Sequence, residues 1–112
     1  MFSMQTAAAT ENKIFQALAD PSRRAIFESL TRGEAAVKDL TARFDISQPA
    51  VSQHLATLKG AGLVNARREC RCVYYRVQPR GMKPLIDWIA HYRAFWTVHV
   101  ARLERLLEKM DE

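Results

Sequence analysis

Two stretches of this chain carry side chains suited to recognising a polyanion. Residues 47–59 interleave an apolar set with short polar side chains. At helical spacing Val51, Leu55 and Leu58 share one face, while Gln48, Ser52, Gln53 and Thr57 fall on the other. A glutamine amide can bond an adenine edge through two hydrogen bonds, and an apolar ring such as that of Pro49 can lie against a thymine methyl. Ser47 has the hydroxyl that caps a helix start. The second stretch is basic: Arg67, Arg68, Arg71, Arg76 and Arg80 stand against one acid, Glu69, with Lys59 and Lys38 elsewhere in reach. Guanidinium groups pair with phosphate oxygens, and such contacts position a protein on a duplex while base contacts specify. Taken singly, the first stretch reads as an ordinary amphipathic helix and the second as a solvated charge run. Their adjacency favours a nucleic-acid surface. His54 lies beside the reading face and suits either a base contact or a bond to backbone or solvent.

Cys70 and Cys72 sit inside the basic stretch. Cationic surroundings favour the thiolate, the reactive form. Two residues apart on a strand, their Cα atoms are roughly 6.5–7 Å from each other, the outer limit for a disulfide. Two sulfurs are half a zinc shell. A thiol sensor and a pair of thiols without a sensing role both remain open. No Gly-rich phosphate loop and no nucleophile–base–acid set is present, so the chain reads as neither an enzyme nor the holder of a cofactor. A protein-binding module that has lost nucleic acid is the competing reading, and it predicts a stretch without these arginines.

Capping and period signals define the elements that hold these residues. A first helix is expected from Thr10, with Ile14, Phe15 and Leu18 inward. Asp20-Pro21 starts a second, burying Ala25, Ile26 and Leu30 and stopping at Gly33. A third runs from about Ala36 to Phe44 with Val37, Leu40 and Phe44 inward. After the short turn Asp45-Ile46, Ser47 caps a fourth, ended by Gly60 and Gly62. Two helices joined by so short a turn make a helix-turn-helix. Two strands follow, near Leu63–Arg68 and Cys72–Val77, the second with the period-2 alternation of a half-buried hairpin. Pro79 and Gly81 break it. A long last helix, about Met82 to Met110, places Leu85, Ile89, Tyr92, Trp96, His99, Leu103, Leu106 and Met110 at 4-3 spacing, a heptad seam.

The chain has 112 residues, 48% of them hydrophobic and 26% charged, which suits one globular domain. We expect residues 1–9 to form a flexible N-terminus and 10–112 a single domain. No apolar run approaches the roughly 20 residues that span a bilayer, and the N-terminus lacks a signal-peptide pattern, so a cytoplasmic protein with no membrane partner is expected. The formal net charge of +5 is concentrated in the basic stretch; residues 102–112 carry three bases and four acids. The last helix has more apolar surface than one small domain can hide. Ile89, Tyr92, Trp96, His99, Leu103 and Leu106 are therefore candidate dimerisation residues.

FQALADPSRRAIFESL at 15–30, SQPAVSQHLATLKGAGLV at 47–64 and VYYRV at 73–77 together resemble the ArsR/SmtB-type winged helix-turn-helix repressors. The ending HYRAFWTVHVARLERLLEKM resembles a subgroup with a Tyr-Arg-x-Phe-Trp helix. The resemblance implies a mostly α fold with a small β-hairpin, four helices, two strands and a fifth helix. It implies a homodimer through the first and last helices and repression of its own or a neighbouring operon by binding an inverted repeat in double-stranded DNA. Ser47, Gln48, Pro49, Ser52, Gln53 and Thr57 would face the DNA, and Arg67, Arg68, Arg71 and Arg76 would form the wing's positioning set. The family's thiolate metal site falls on Ala36 and Lys38 here. Its last-helix site is broken as well, since His99 is followed by Arg102 where an acid belongs. No metal site is expected, although Asp87, His91 and His99 are a weak candidate set. A wing-tip glycine is replaced by Cys70, which leaves Cys70 and Cys72 as the candidate thiol sensor. The resemblance names no inducer, small molecule or metal.

Overall fold

The computed structural model describes residues 2–111, with side chains from Ala9 onward. Its elements are α1 (Phe2–Ala19), α2 (Pro21–Leu30), β1 (Ala35–Ala36), α3 (Val37–Phe44), α4 (Gln48–Gly60), β2 (Val64–Glu69), β3 (Cys72–Val77), a 3-10 turn (Pro79–Met82) and α5 (Lys83–Asp111).

The capping signals act as their chemistry requires. Asp20 accepts from the Arg23 backbone N–H at 2.9 Å, with Pro21 in the first turn of α2. Ser47 Oγ accepts from Ala50 N–H at 3.2 Å at the start of α4. Between α3 and α4, Asp45 takes the left-handed conformation, φ 50°, which a short polar residue tolerates. The end of α4 is a Schellman motif: Leu63 N–H donates to Leu58 O and Gly62 N–H to Lys59 O, both at 3.0 Å. Gly62 supplies the positive φ of 80° that the motif needs.

The core gathers α1, α2, α3, α4 and the base of the hairpin. Ile14, Ile26, Leu40, Val51, Leu55, Leu58 and Leu63 are fully buried, each contributing about 1.5–3 kcal/mol. Four sequence expectations shift. The first helix starts at Phe2 rather than Thr10, since the intervening Ala7-Ala8-Ala9 run has high helix propensity. Phe15 is not inward; it stays 40% exposed and meets Trp88 of α5 edge-on, ring centroids 5.4 Å apart. In α2 Phe27, not Ala25, joins Ile26 and Leu30 in the core. The hairpin is also one strand wider than expected. Ala35 and Ala36 pair with Tyr75 and Tyr74, giving an antiparallel sheet in the order β1-β3-β2. This third strand ties the entrance of α3 to the hairpin.

Along α5 little is covered. Ile89, Trp96, Leu103 and Leu106 are each about half exposed, and no α5 residue is buried. The radius of gyration is 18.1 Å, against about 13 Å for a compact domain of this length. No helix among the described residues is long and apolar enough to cross a membrane.

Candidate nucleic-acid interface

Packing of α4 decides what it offers outward. With Val51, Leu55 and Leu58 sealed into the core, Gln48, Pro49, Ser52, Gln53 and Thr57 are all exposed. Ala56 shares this outer arc and adds an apolar surface that the sequence reading passed over. The hydroxyls of Ser47 and Thr57 are partly engaged: Ser47 caps the helix, and Thr57 donates back to Gln53 O at 3.1 Å. Gln48, Ser52 and Gln53 carry the outward-facing polar groups of this arc.

His54 lies half-buried, with Nδ1 3.5 Å from Arg23 Nη1. Arg23 itself donates to Ala17 O at 2.6 Å and Gln16 O at 3.2 Å, and Arg24 donates to Leu18 O at 2.7 Å. Two arginines of α2 thus satisfy the last carbonyls of α1, where cations are favoured. The Asp20 carboxyl is held below its usual range, chiefly by the Arg23 backbone N–H it accepts from.

The four wing arginines differ in what they touch. Arg67 bonds through all three of its nitrogens: Nε donates to Glu34 Oε2 at 2.9 Å, Nη2 donates to Glu34 Oε1, and Nη1 donates to Glu69 Oε2 at 2.6 Å. Its guanidinium carbon lies 4.9 Å from the centre of the Tyr74 ring. These carboxylates raise the Arg67 pKa, and Arg67 in turn lowers that of Glu34. Arg76 donates from Nε to Asn65 Oδ1 at 2.9 Å, and Asn65 donates to Gln78 Oε1 at 3.0 Å. Arg68 and Arg71 are exposed and make no ion pair among the described residues. Local patterning missed Glu34 and Asn65 because their partners lie 33 and 11 residues away in sequence.

At the hairpin tip Cys70 and Cys72 are free thiols, the first exposed and the second half-buried. Cys70 has φ 56°, the conformation that a glycine would hold without strain. The charge of a nearby ionised Cys72, together with desolvation, pushes the Tyr74 phenol pKa up.

On α5, Phe95 stacks on His99 at 3.9 Å, and His99 Nδ1–H donates to Phe95 O at 2.8 Å. Asp87 pairs with Lys83 at 2.7 Å and His91 packs edge-on against Tyr92. Among the described residues no three His, Cys, Asp or Glu side chains are grouped to hold a metal ion.

Residues 20–66, from the α2 cap through the Ala66 of β2, match the family described as bacterial regulatory protein, arsR family. The transcriptional repressor SdpR of Bacillus subtilis is 32% identical over 81 residues, which are 72% of this chain and 90% of that protein. An ArsR-like transcriptional regulator from Rhodococcus sp. RHA1 superposes with a TM-score of 0.71 at 25% identity, covering 88% of this chain and 93% of that one. A homodimeric winged helix-turn-helix DNA-binding domain from Mycobacterium bovis, a possible ArsR-family regulator, superposes with a TM-score of 0.66 at 28% identity over 79% of this chain and 84% of that one. The capped helix-turn-helix, the β-hairpin wing and these likenesses together show that the chain belongs to the arsR family of bacterial winged helix-turn-helix transcription regulators.

Proposed function

We propose that this chain is a homodimeric repressor that binds an inverted-repeat operator, acting in the cytoplasm on its own or a neighbouring operon. The observation that carries this reading is the outer arc of α4. Gln48, Pro49, Ser52 and Gln53 are exposed side by side on a helix whose opposite face is locked into the core. In the major groove these side chains read base edges, with Gln53 the chief donor–acceptor. Arg68 and Arg71 contact phosphate from the wing tip. Two copies pair through α5 with support from α1, covering the half-exposed Ile89, Tyr92, Trp96, Leu103 and Leu106. The exposed face of α5 formed by Trp96, Thr97, Val100, Ala101 and Glu104 gives the partner helix a seat. Pairing about a two-fold axis sets two α4 helices about one DNA turn apart, which accounts for an inverted repeat. SdpR, a repressor, sets the sign of regulation that we assign.

The test is selection of duplexes from a randomised pool, followed by titration of the winner at several salt concentrations. Gln53→Ala is expected to cost about 1–3 kcal/mol on the selected duplex and to relax preference at one base pair per half-site. Equal losses on random and selected duplexes would remove Gln53 as a base reader. A pool in which nothing is enriched would favour a protein-binding module instead. Loss of reporter silencing on deletion of the selected site checks repression.

A further inference from the structure

The wing of a DNA-binding protein gains from cations that reach outward, yet Arg67 turns its fork inward. All three of its nitrogens that can donate do so to carboxylates of the same chain, two to Glu34 and one to Glu69. The pairing with Glu34 is bidentate, the geometry that gives a guanidinium–carboxylate pair both strength and direction. The third side of the guanidinium plane rests over Tyr74. Both side chains are about one-third exposed, so the pair owes its hold to its forked geometry rather than to burial.

Its position matters more than its strength. Glu34 precedes β1 and α3, the first helix of the helix-turn-helix, whereas Arg67 lies in the middle of β2 in the wing. The register sets Ala36 opposite Tyr74, and Tyr74 opposite Arg67. The ion pair therefore crosses the sheet diagonally, from Arg67 on β2 to Glu34, two residues before the Ala36 that shares Arg67's level. β1 is two residues long, so it ties the hairpin to α3 by a short ladder only. A forked ion pair across the sheet adds a second tie between the two.

We propose that Arg67 is a positioning residue, which together with Glu34 fixes the angle of the wing to the reading helix, and that phosphate is left to Arg68 and Arg71. This rests on the DNA-binding reading above. It reverses the expectation that Arg67 touches the backbone. Its sharpest consequence concerns Glu34. An acid near a DNA surface repels phosphate, so by charge alone its removal tightens binding. As half of a clamp, its removal loosens binding.

The experiment titrates a duplex selected from a randomised pool by the wild-type protein, across a salt series, with wild type, Glu34→Gln, Arg67→Lys and Arg68→Ala. Thermal melts of each variant check the fold. Glu34→Gln is expected to weaken binding roughly five-fold despite the lost negative charge, with an unchanged salt slope. Arg67→Lys keeps the charge and loses the fork; it is expected to behave the same way. Arg68→Ala is expected to lower the slope by about one. Amide hydrogen exchange of free protein reads the clamp without DNA, and β2 and β3 are expected to exchange faster in the first two variants only. The double exchange Glu34→Arg with Arg67→Glu is expected to recover protection and most of the affinity. If Glu34→Gln binds as tightly as wild type or tighter, or leaves wing exchange unchanged, the clamp is overturned and Arg67 returns to the phosphate set. If wild type enriches no duplex, the DNA-binding reading itself fails, while hydrogen exchange still judges the clamp.

Discussion

The backbone of Gly81 lies directly against the carbonyl of Gly62: a Cβ placed on Gly81 would stand 1.7 Å from the Gly62 oxygen and 2.6 Å from its carbon. Beside it, Gln78 N–H donates to Leu63 O at 2.8 Å. The 3-10 turn leading into α5 is thus seated on the Schellman end of α4. Any side chain at 81 must push rigid backbone apart. Gly81→Ala is expected to destabilise the protein by about 3 kcal/mol or more, near the top of the range for overpacking. A urea titration with unchanged slope and a lowered midpoint checks it. A loss under about 1 kcal/mol would mean that the turn can lift off without cost.

Cys70 has the opposite problem, a side chain where the backbone prefers none. Its φ of 56° is left-handed, a region costing a non-glycine residue about 1–2 kcal/mol. Against this stands the extra entropy glycine loses on folding. Cys70→Gly is expected to raise stability by a few tenths to about 1 kcal/mol. A melting temperature equal to or below wild type would show that the tip is unstrained.

The α5 seam is expected to hold the dimer. Leu103→Asp places a charge on a half-exposed apolar position in the middle of the seam, and Trp96→Ala removes its largest ring. Sedimentation is expected to show a shift toward monomer for both, with the helix-turn-helix core still folded. Two variants that sediment as the unaltered dimer would move the interface elsewhere.

Oxidation is expected to act through the wing tip. Peroxide oxidises the exposed Cys70 thiolate to a sulfenic acid, itself being reduced to water; Cys72 then displaces that oxygen as a second water and closes a disulfide. Cys70 stands in the turn and Cys72 at the first position of β3, so closing the bridge requires the tip to rearrange. It also alters the tip two residues from Tyr74, on whose ring Arg67 rests. DNA affinity is expected to fall on mild oxidation and to stay constant in the double Cys→Ser variant. Equal affinity of oxidised and reduced wild type would sink the switch, and a response that survives in the double variant would place the sensor elsewhere.

How far these features can be read without coordinates depends on their reach along the chain. Asp20-Pro21 and Ser47 announce α2 and α4 because a cap bonds three residues on, within view of any local pattern. The strand Cys72–Val77 is found at its true limits because alternation over six residues is unambiguous. Ala35-Ala36 carries no alternation and no β-branched residue, so β1 is invisible until β3 lies beside it. Phe27 lost its place to Ala25 because two adjacent positions, 26 and 27, straddle the buried face of α2. Arg67 looked like its neighbours in a basic run; only the fold brings Glu34 to it across 33 residues. The meeting of Gly81 with Gly62 is equally non-local. The exposed polar arc of α4 was legible because its definition is a single helix turned by its own apolar stripe.

The bare flank of α5 also bears on how sharply a gene responds. If DNA is held only by the paired form, and pairs are scarce relative to single chains, occupancy rises with the square of chain concentration. A modest fall in synthesis then releases DNA more than in proportion. Should the chain repress its own gene, that steepness tightens the feedback and narrows the spread of protein levels from cell to cell. Leu103, Trp96 and their neighbours, outside the α4 arc and the wing, would then tune the set point of a circuit.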